Sequence, residues 1–134
     1  MPFVLDASIT ATWRFPDETD TCADAAMHRL VDDQAIVPAL WCIEIRNILV
    51  VNERRGRIEP AESDVLLDEL TRLPIRIDNN PDKSLVLSLA RKHGLTSFDA
   101  AYLDIAVRLT APMATLDRAL ARAVQAEQLP CLGV

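Results

Sequence analysis

Short apolar runs alternate with longer amphipathic ones along the whole chain. The short runs are PFVLD from Pro2, AIVP at 35–38, PIRID at 74–78, PMATL at 112–116 and CLGV from Cys131. They are brief and mostly apolar, as parallel strands buried on both faces are. Between them, apolar positions recur at helical spacing and predict helices over 8–15, 17–33 after a break at Pro16, 40–55 closed by Gly56, and 60–72 opened by Pro60. Three more follow: 81–93 opened by Pro81 and closed by Gly94, 97–110, and 117–128. The alternation predicts an α/β fold, a short parallel sheet of about five strands with helices on both faces, joined by right-handed crossovers. Helices 40–55 and 60–72 are also close enough along the chain to pack as a hairpin.

Composition narrows the functional classes. A chain of 134 residues, 50% of them hydrophobic, supplies one core, so 1–134 reads as a single domain. Its net charge of −6 offers no global attraction to nucleic acid or to an anionic membrane. A phosphate-bearing substrate must therefore be gripped locally, and the local basic groups are Arg46, Arg54, Arg55, Arg57, Arg91, Lys92, Arg118 and Arg122. Cys22, Cys42 and Cys131 are odd in number and lack C-x-x-C spacing, which points to core thiols in a reducing cytoplasm. MPFVLDAS has no basic leader segment, and no later run approaches the roughly 18 apolar residues of a spanning helix. Neither secretion nor membrane insertion is expected. With three glycines and no Walker or G-x-G-x-x-G loop, nucleotide cofactors are not expected either.

One carboxylate is out of place. In LWCIEIRNIL, Glu44 sits within a helical stripe built by Trp41, Ile45, Ile48 and Val51. Burying an unpaired carboxylate costs several kcal/mol, so Glu44 either stays at a wet rim, is protonated, or has a positive neighbour. Other acids fall at informative places. Asp6 ends the first apolar run and Asp117 follows PMATL; strand C-termini in an open parallel sheet share one edge, so these two belong together. Asp99 lies in the first turn of its helix, behind Thr96 and Ser97, and the pattern alone leaves its edge open. Each of the three also has a structural reading: Asp117 as an N-cap, Asp6 as a turn or cap residue, and Asp99 as a partner of the helix dipole. Glu44 has no capping role, and its structural reading is a rim position or contact with Asn47. His28 and His93 sit among solvent-type neighbours and announce no nucleophilic triad.

Four segments in register resemble a known family: VLDAS, then P-x-L-W-x-x-E-I-x-N-x-L from Pro38 to Leu49, then L-T-S-F-D-A-A-Y-L-D-I-A from Leu95, then A-T-L-D-R-A-L from Ala114. Together they look like the PIN domain, in the form found in VapC-type toxins of bacterial toxin-antitoxin pairs. The resemblance implies a three-layer PIN-like fold and a metal-dependent endoribonuclease whose acids are Asp6, Glu44, Asp99 and Asp117. It implies that Asp99 joins the edge cluster and that Ser8, Asn47 and Thr115 surround the acids. An all-oxygen ligand set favours a hard ion, Mg²⁺ or Mn²⁺. Asp6 and Asp99 are expected to bind it directly, and Asp117 and Glu44 through water or by positioning the attacking water. Arg46, Arg118 and Arg122 are expected to touch substrate phosphates. The partners implied are RNA, a cognate antitoxin and a second copy in a homodimer.

Two alternatives use the same residues. One is a catalytically silent or regulatory PIN-like binding module. The other is a receiver-like phosphoacceptor with Asp6 and Asp78 at strand ends. A receiver requires a lysine after a later strand, whereas Lys83 and Lys92 both fall in one helix.

Overall fold

The computed structural model describes residues 1–15 and 20–133. Among them are strands β1 (Phe3–Leu5), β2 (Ala35–Pro38), β3 (Ile75–Asp78) and β4 (Met113–Ala114). The helices are α1 (Ala7–Arg14), α2 (Thr21–Arg29), α3 (Leu40–Arg54), α4 (Pro60–Thr71), α5 (Lys83–His93), α6 (Ser97–Leu109) and α7 (Arg118–Ala126). All strand pairs are parallel, in the order β3-β2-β1-β4. Every residue of β1, β2 and β4 is buried, which is why those runs read as apolar throughout. On the edge strand β3, Ile75 is half-buried while Arg76 and Ile77 are exposed.

The fifth predicted strand is corrected to a single parallel bridge between Cys131 and Met113. Gly133 explains the early stop. It turns the chain at φ +79 directly against α2, where a Cβ would stand 2.5 Å from the Cys22 Cα. The predicted break at Pro16 and helix start at 17 lie outside the described residues. What is described of that helix begins at Thr21, after Asp20 accepts a cap bond from the Cys22 N–H at 2.7 Å. Helix α5 begins at Lys83 rather than Pro81, because the Asp82 carboxylate accepts from the Leu85 N–H at 3.0 Å and so sets the cap.

Helix α6 lies on β1 and β2 with α5 and α7 packed against it, while α1, α2 and α3 pack together and reach β4 and β2. Ala100, Leu103, Ile105 and Ala106 bury one face of α6, each large apolar side chain contributing about 1.5–3 kcal/mol. Fully buried Asp104 is bonded by Arg108 at 3.0 Å, and Arg108 reaches on to Asp78 at 2.6 Å. That triad ties α6 to the end of β3. It also commits Asp78, one of the two acids a receiver-like site would need.

Helices α3 and α4 are linked where the Ser63 hydroxyl donates to Glu53 at 2.7 Å. They then splay, leaving an apolar groove of about 220 Å³ lined by Trp41, Ile45, Arg46, Leu67 and Leu70. Among the described residues no helix is long and apolar enough to cross a membrane.

Candidate active site

The site grows from the sheet edge where β1 and β4 end. Leu5 pairs in register with Ala114, so the residues that follow each strand emerge side by side. Thr115 Oγ1 donates to Asp6 Oδ2 at 2.7 Å, and Ser8 Oγ donates to the same oxygen at 2.8 Å. Each hydroxyl also accepts a backbone N–H, Thr115 from Asp117 at 3.0 Å and Ser8 from Leu116 at 3.0 Å. Asp6 is 6% exposed and its side chain makes no cap bond to α1. Its carboxylate is held across the sheet edge, and the capping reading fails for it.

Asp117 does cap: its Oδ1 accepts from the Leu120 N–H at 2.9 Å. One oxygen is thereby structural while the other carries no hydrogen bond among the described residues. Asp99 occupies the first turn of α6, its own N–H donating to the capping Thr96 hydroxyl at 3.1 Å. A hydrogen bond from the Thr96 side chain holds the Asp99 pKa down against burial. From α3, half-buried Glu44 reaches α6, where Tyr102 donates its phenol O–H to Glu44 Oε1 at 2.5 Å.

Electrostatics joins the four acids. Burial raises the Asp6 pKa most, the Thr115 and Ser8 hydroxyls counter it, and the Asp117 charge adds to it. Burial also raises Glu44, against the Tyr102 hydrogen bond and with help from Asp6 and Asp99. Asp99 is raised by burial and then by Asp117 and Asp6. Tyr102 is pushed far above an ordinary phenol by burial and by its bond to Glu44, so it stays a donor. The sequence motifs thus converge: Asp6, Glu44, Asp99 and Asp117 form one mutually repelling set. Among the described residues none of the four is ion-paired.

The chemistry of this donor set fits a hard divalent cation: carboxylates only, with uncompensated negative charge. As they stand, no three such side chains among the described residues are gathered closely enough to enclose an ion. At an effective dielectric near 20 a like-charge pair 4 Å apart costs about 4 kcal/mol, a cost that a bound cation would offset.

The surrounding residues divide. Asn47 shares a groove with Glu44 and Asp99. Arg118 and Arg122 are exposed on α7, one turn apart and just after Asp117. Arg46 lies apart from them: its guanidinium donates to the Cys42 carbonyl at 2.9 Å and it lines the apolar groove with Trp41 and Leu67. Two positions beyond Glu44 on a helix is about 200° of rotation, which takes Arg46 to another face. Tyr102 is the site residue that sequence reasoning missed. Its signal was its place three residues after Asp99 on the same helix, and its phenol donor is one partner that lets Glu44 sit on an apolar stripe.

Comparisons with known proteins bear on the family and the fold. The family model described as PIN domain matches residues 3–125. Ribonuclease VapC3 of Pyrobaculum aerophilum is 30% identical over 135 residues, covering 98% of each chain. Among solved structures, the crystal structure of PAE2754 from Pyrobaculum aerophilum superposes with a TM-score of 0.71 at 22% identity, over 92% of this chain and 84% of that one. The crystal structure of FitAcB from Neisseria gonorrhoeae gives 0.66 at 16% identity, over 98% and 96%.

Proposed function

The chain belongs to the PIN-domain family, and from that premise we propose that it is an endoribonuclease, the toxin of a toxin-antitoxin pair, which hydrolyses RNA phosphodiester bonds. The observation that carries the reading is the electrostatic coupling of Asp6, Glu44, Asp99 and Asp117 into one mutually repelling set, none of them ion-paired among the described residues. We assign Asp6 and Asp99 as direct ligands of Mg²⁺ or Mn²⁺, with Asp117 and Glu44 acting through water. When bound, the ion supplies the positive charge the site lacks, lowering the pKa of a water and neutralising phosphate oxygens.

The remaining work belongs to the side chains. Ser8 and Thr115 donate to one oxygen of Asp6 and fix the direction of the other. Tyr102 holds Glu44 Oε1, leaving Oε2 to accept a proton from the attacking water. Arg118 and Arg122 receive flanking phosphates. A cognate antitoxin and a second copy of the chain are the proposed protein partners, with the α3-α4 groove as apolar contact surface, and the proposed compartment is the cytoplasm. The test is cleavage of a mixed RNA pool by the purified chain in Mg²⁺, Mn²⁺ or EDTA, beside Asp99→Asn. Cleavage that needs metal and disappears in the variant supports the reading; cleavage that survives both EDTA and Asp99→Asn refutes it.

A further inference from the structure

Beside the acids, the first turn of α6 and the outer face of α3 enclose a groove of about 450 Å³, lined by Ile43, Glu44, Asn47, Ile48, Phe98 and Asp99. Its walls are unusual for a surface: Phe98 is 66% exposed and Ile43 is 68% exposed. We propose that Phe98 is the stacking platform for one unpaired base of the RNA substrate, and that this groove is where the enzyme reads it. The inference rests on the ribonuclease reading and adds to it the residue and groove that hold a base.

Charge complementarity selects the occupant. Among the described residues the groove is lined by two carboxylates and no basic side chain, so it repels phosphate and accepts the neutral, flat part of a nucleotide. Continuity with the acids places that part. Glu44 and Asp99 belong both to the carboxylate cluster and to this groove, so a strand whose scissile phosphate lies at the acids passes a neighbouring base along Phe98. The exposed ring offers a π-face to any base, and a base presents its own face only when it is out of a duplex. The Asn47 amide, which makes no hydrogen bond among the described residues, brings one acceptor and two donors to the base edge. A volume of this size falls within the range of small-ligand pockets, about 300–1,000 Å³.

The experiment uses a random-sequence, single-stranded 12-nucleotide RNA pool with wild type, Phe98→Ala, Phe98→Trp, Phe98→Leu and Asp99→Asn. Steady-state cleavage is measured with Mn²⁺, and the products are sequenced around the cut. Phe98 is exposed, so none of its substitutions threatens folding. The expected result is that Phe98→Ala raises KM by about 5- to 150-fold with kcat little changed. It also flattens the base preference beside the cut, Phe98→Trp restores both, and Phe98→Leu does not. Phe98→Ala cleaving with wild-type KM and preference, while Asp99→Asn is inactive, overturns the stacking role and leaves the ribonuclease reading intact. Full rescue by Phe98→Leu also overturns it, assigning the groove to an apolar side chain of a protein partner. No cleavage by the wild type counts against both readings at once.

Discussion

Tyr102 on α6 and Glu44 on α3, 58 residues apart in sequence, share a 2.5 Å hydrogen bond in which the phenol donates to the carboxylate. That bond lowers the Glu44 pKa against burial and against the charges of Asp6 and Asp99. Removing it in Tyr102→Phe costs about 1 kcal/mol of stability and lets the Glu44 pKa rise further. Cleavage is expected to fall about 10- to 100-fold, and the acidic limb of the pH-rate profile to move to higher pH. An unmoved limb would show that Glu44 takes no part in the ionisation that governs the rate.

Thr115 links two acids, donating to Asp6 at 2.7 Å and accepting from the Asp117 N–H at 3.0 Å. Thr115→Val keeps the shape and deletes both bonds; since one goes to a charged group, the loss is about 1.5–3 kcal/mol in chemical denaturation. Thr115→Ser should recover stability and activity together.

Much of the site was legible in the sequence because strand direction places acids along one sheet edge and a mid-helix carboxylate on an apolar stripe has no capping role. Asp6 and Asp117 fell to the same edge from strand direction alone, and Glu44 stood out by its apolar neighbours. What pattern does not carry is the crossing of elements distant in sequence. The partner of Glu44 comes from another helix, and a buried Tyr among Ala and Leu reads as core. Arg46 lies near Glu44 along the chain but on another face of α3, since neighbours in sequence on a helix do not share a face. The strand CLGV was lost to the tight turn at Gly133, where contact with Cys22 decides the path rather than local apolarity.

Arg118 and Arg122 are expected to differ from Arg46. Arg118→Ala and Arg122→Ala should each weaken RNA binding uniformly across sequences and reduce the salt slope by about 1. Arg46→Ala, on the apolar groove, should leave both quantities unchanged. Fluorescence anisotropy with a labelled RNA across a salt series measures this.

The Arg108 guanidinium compensates Asp104, which is fully buried. Arg108→Met strands that carboxylate and should destabilise the fold by about 3–5 kcal/mol. Because α6 also carries Asp99 and Tyr102, activity should fail at the temperature where the variant melts, and not below it.

Proton linkage gives the acid cluster its own signature. The folded-state pKa values of Asp6, Glu44 and Asp99 are raised. Each therefore contributes stability that is full below its unfolded pKa and is lost as pH rises through the folded value. In the metal-free protein, Asp99→Asn should be more stable than wild type at neutral pH. That advantage should shrink as pH falls toward the ordinary Asp value of 3.8. Thermal melts of the two proteins at several pH values in EDTA give the difference directly.

The claim that these four carboxylates form a cation site is tested most directly by titrating Mn²⁺ into the purified protein and following binding by calorimetry, for wild type and Asp99→Asn. Saturable binding by wild type, weakened at least tenfold in the variant and fading as protons compete at lower pH, is the predicted result. Equal binding by the two proteins, or none by the wild type at millimolar Mn²⁺, would contradict it.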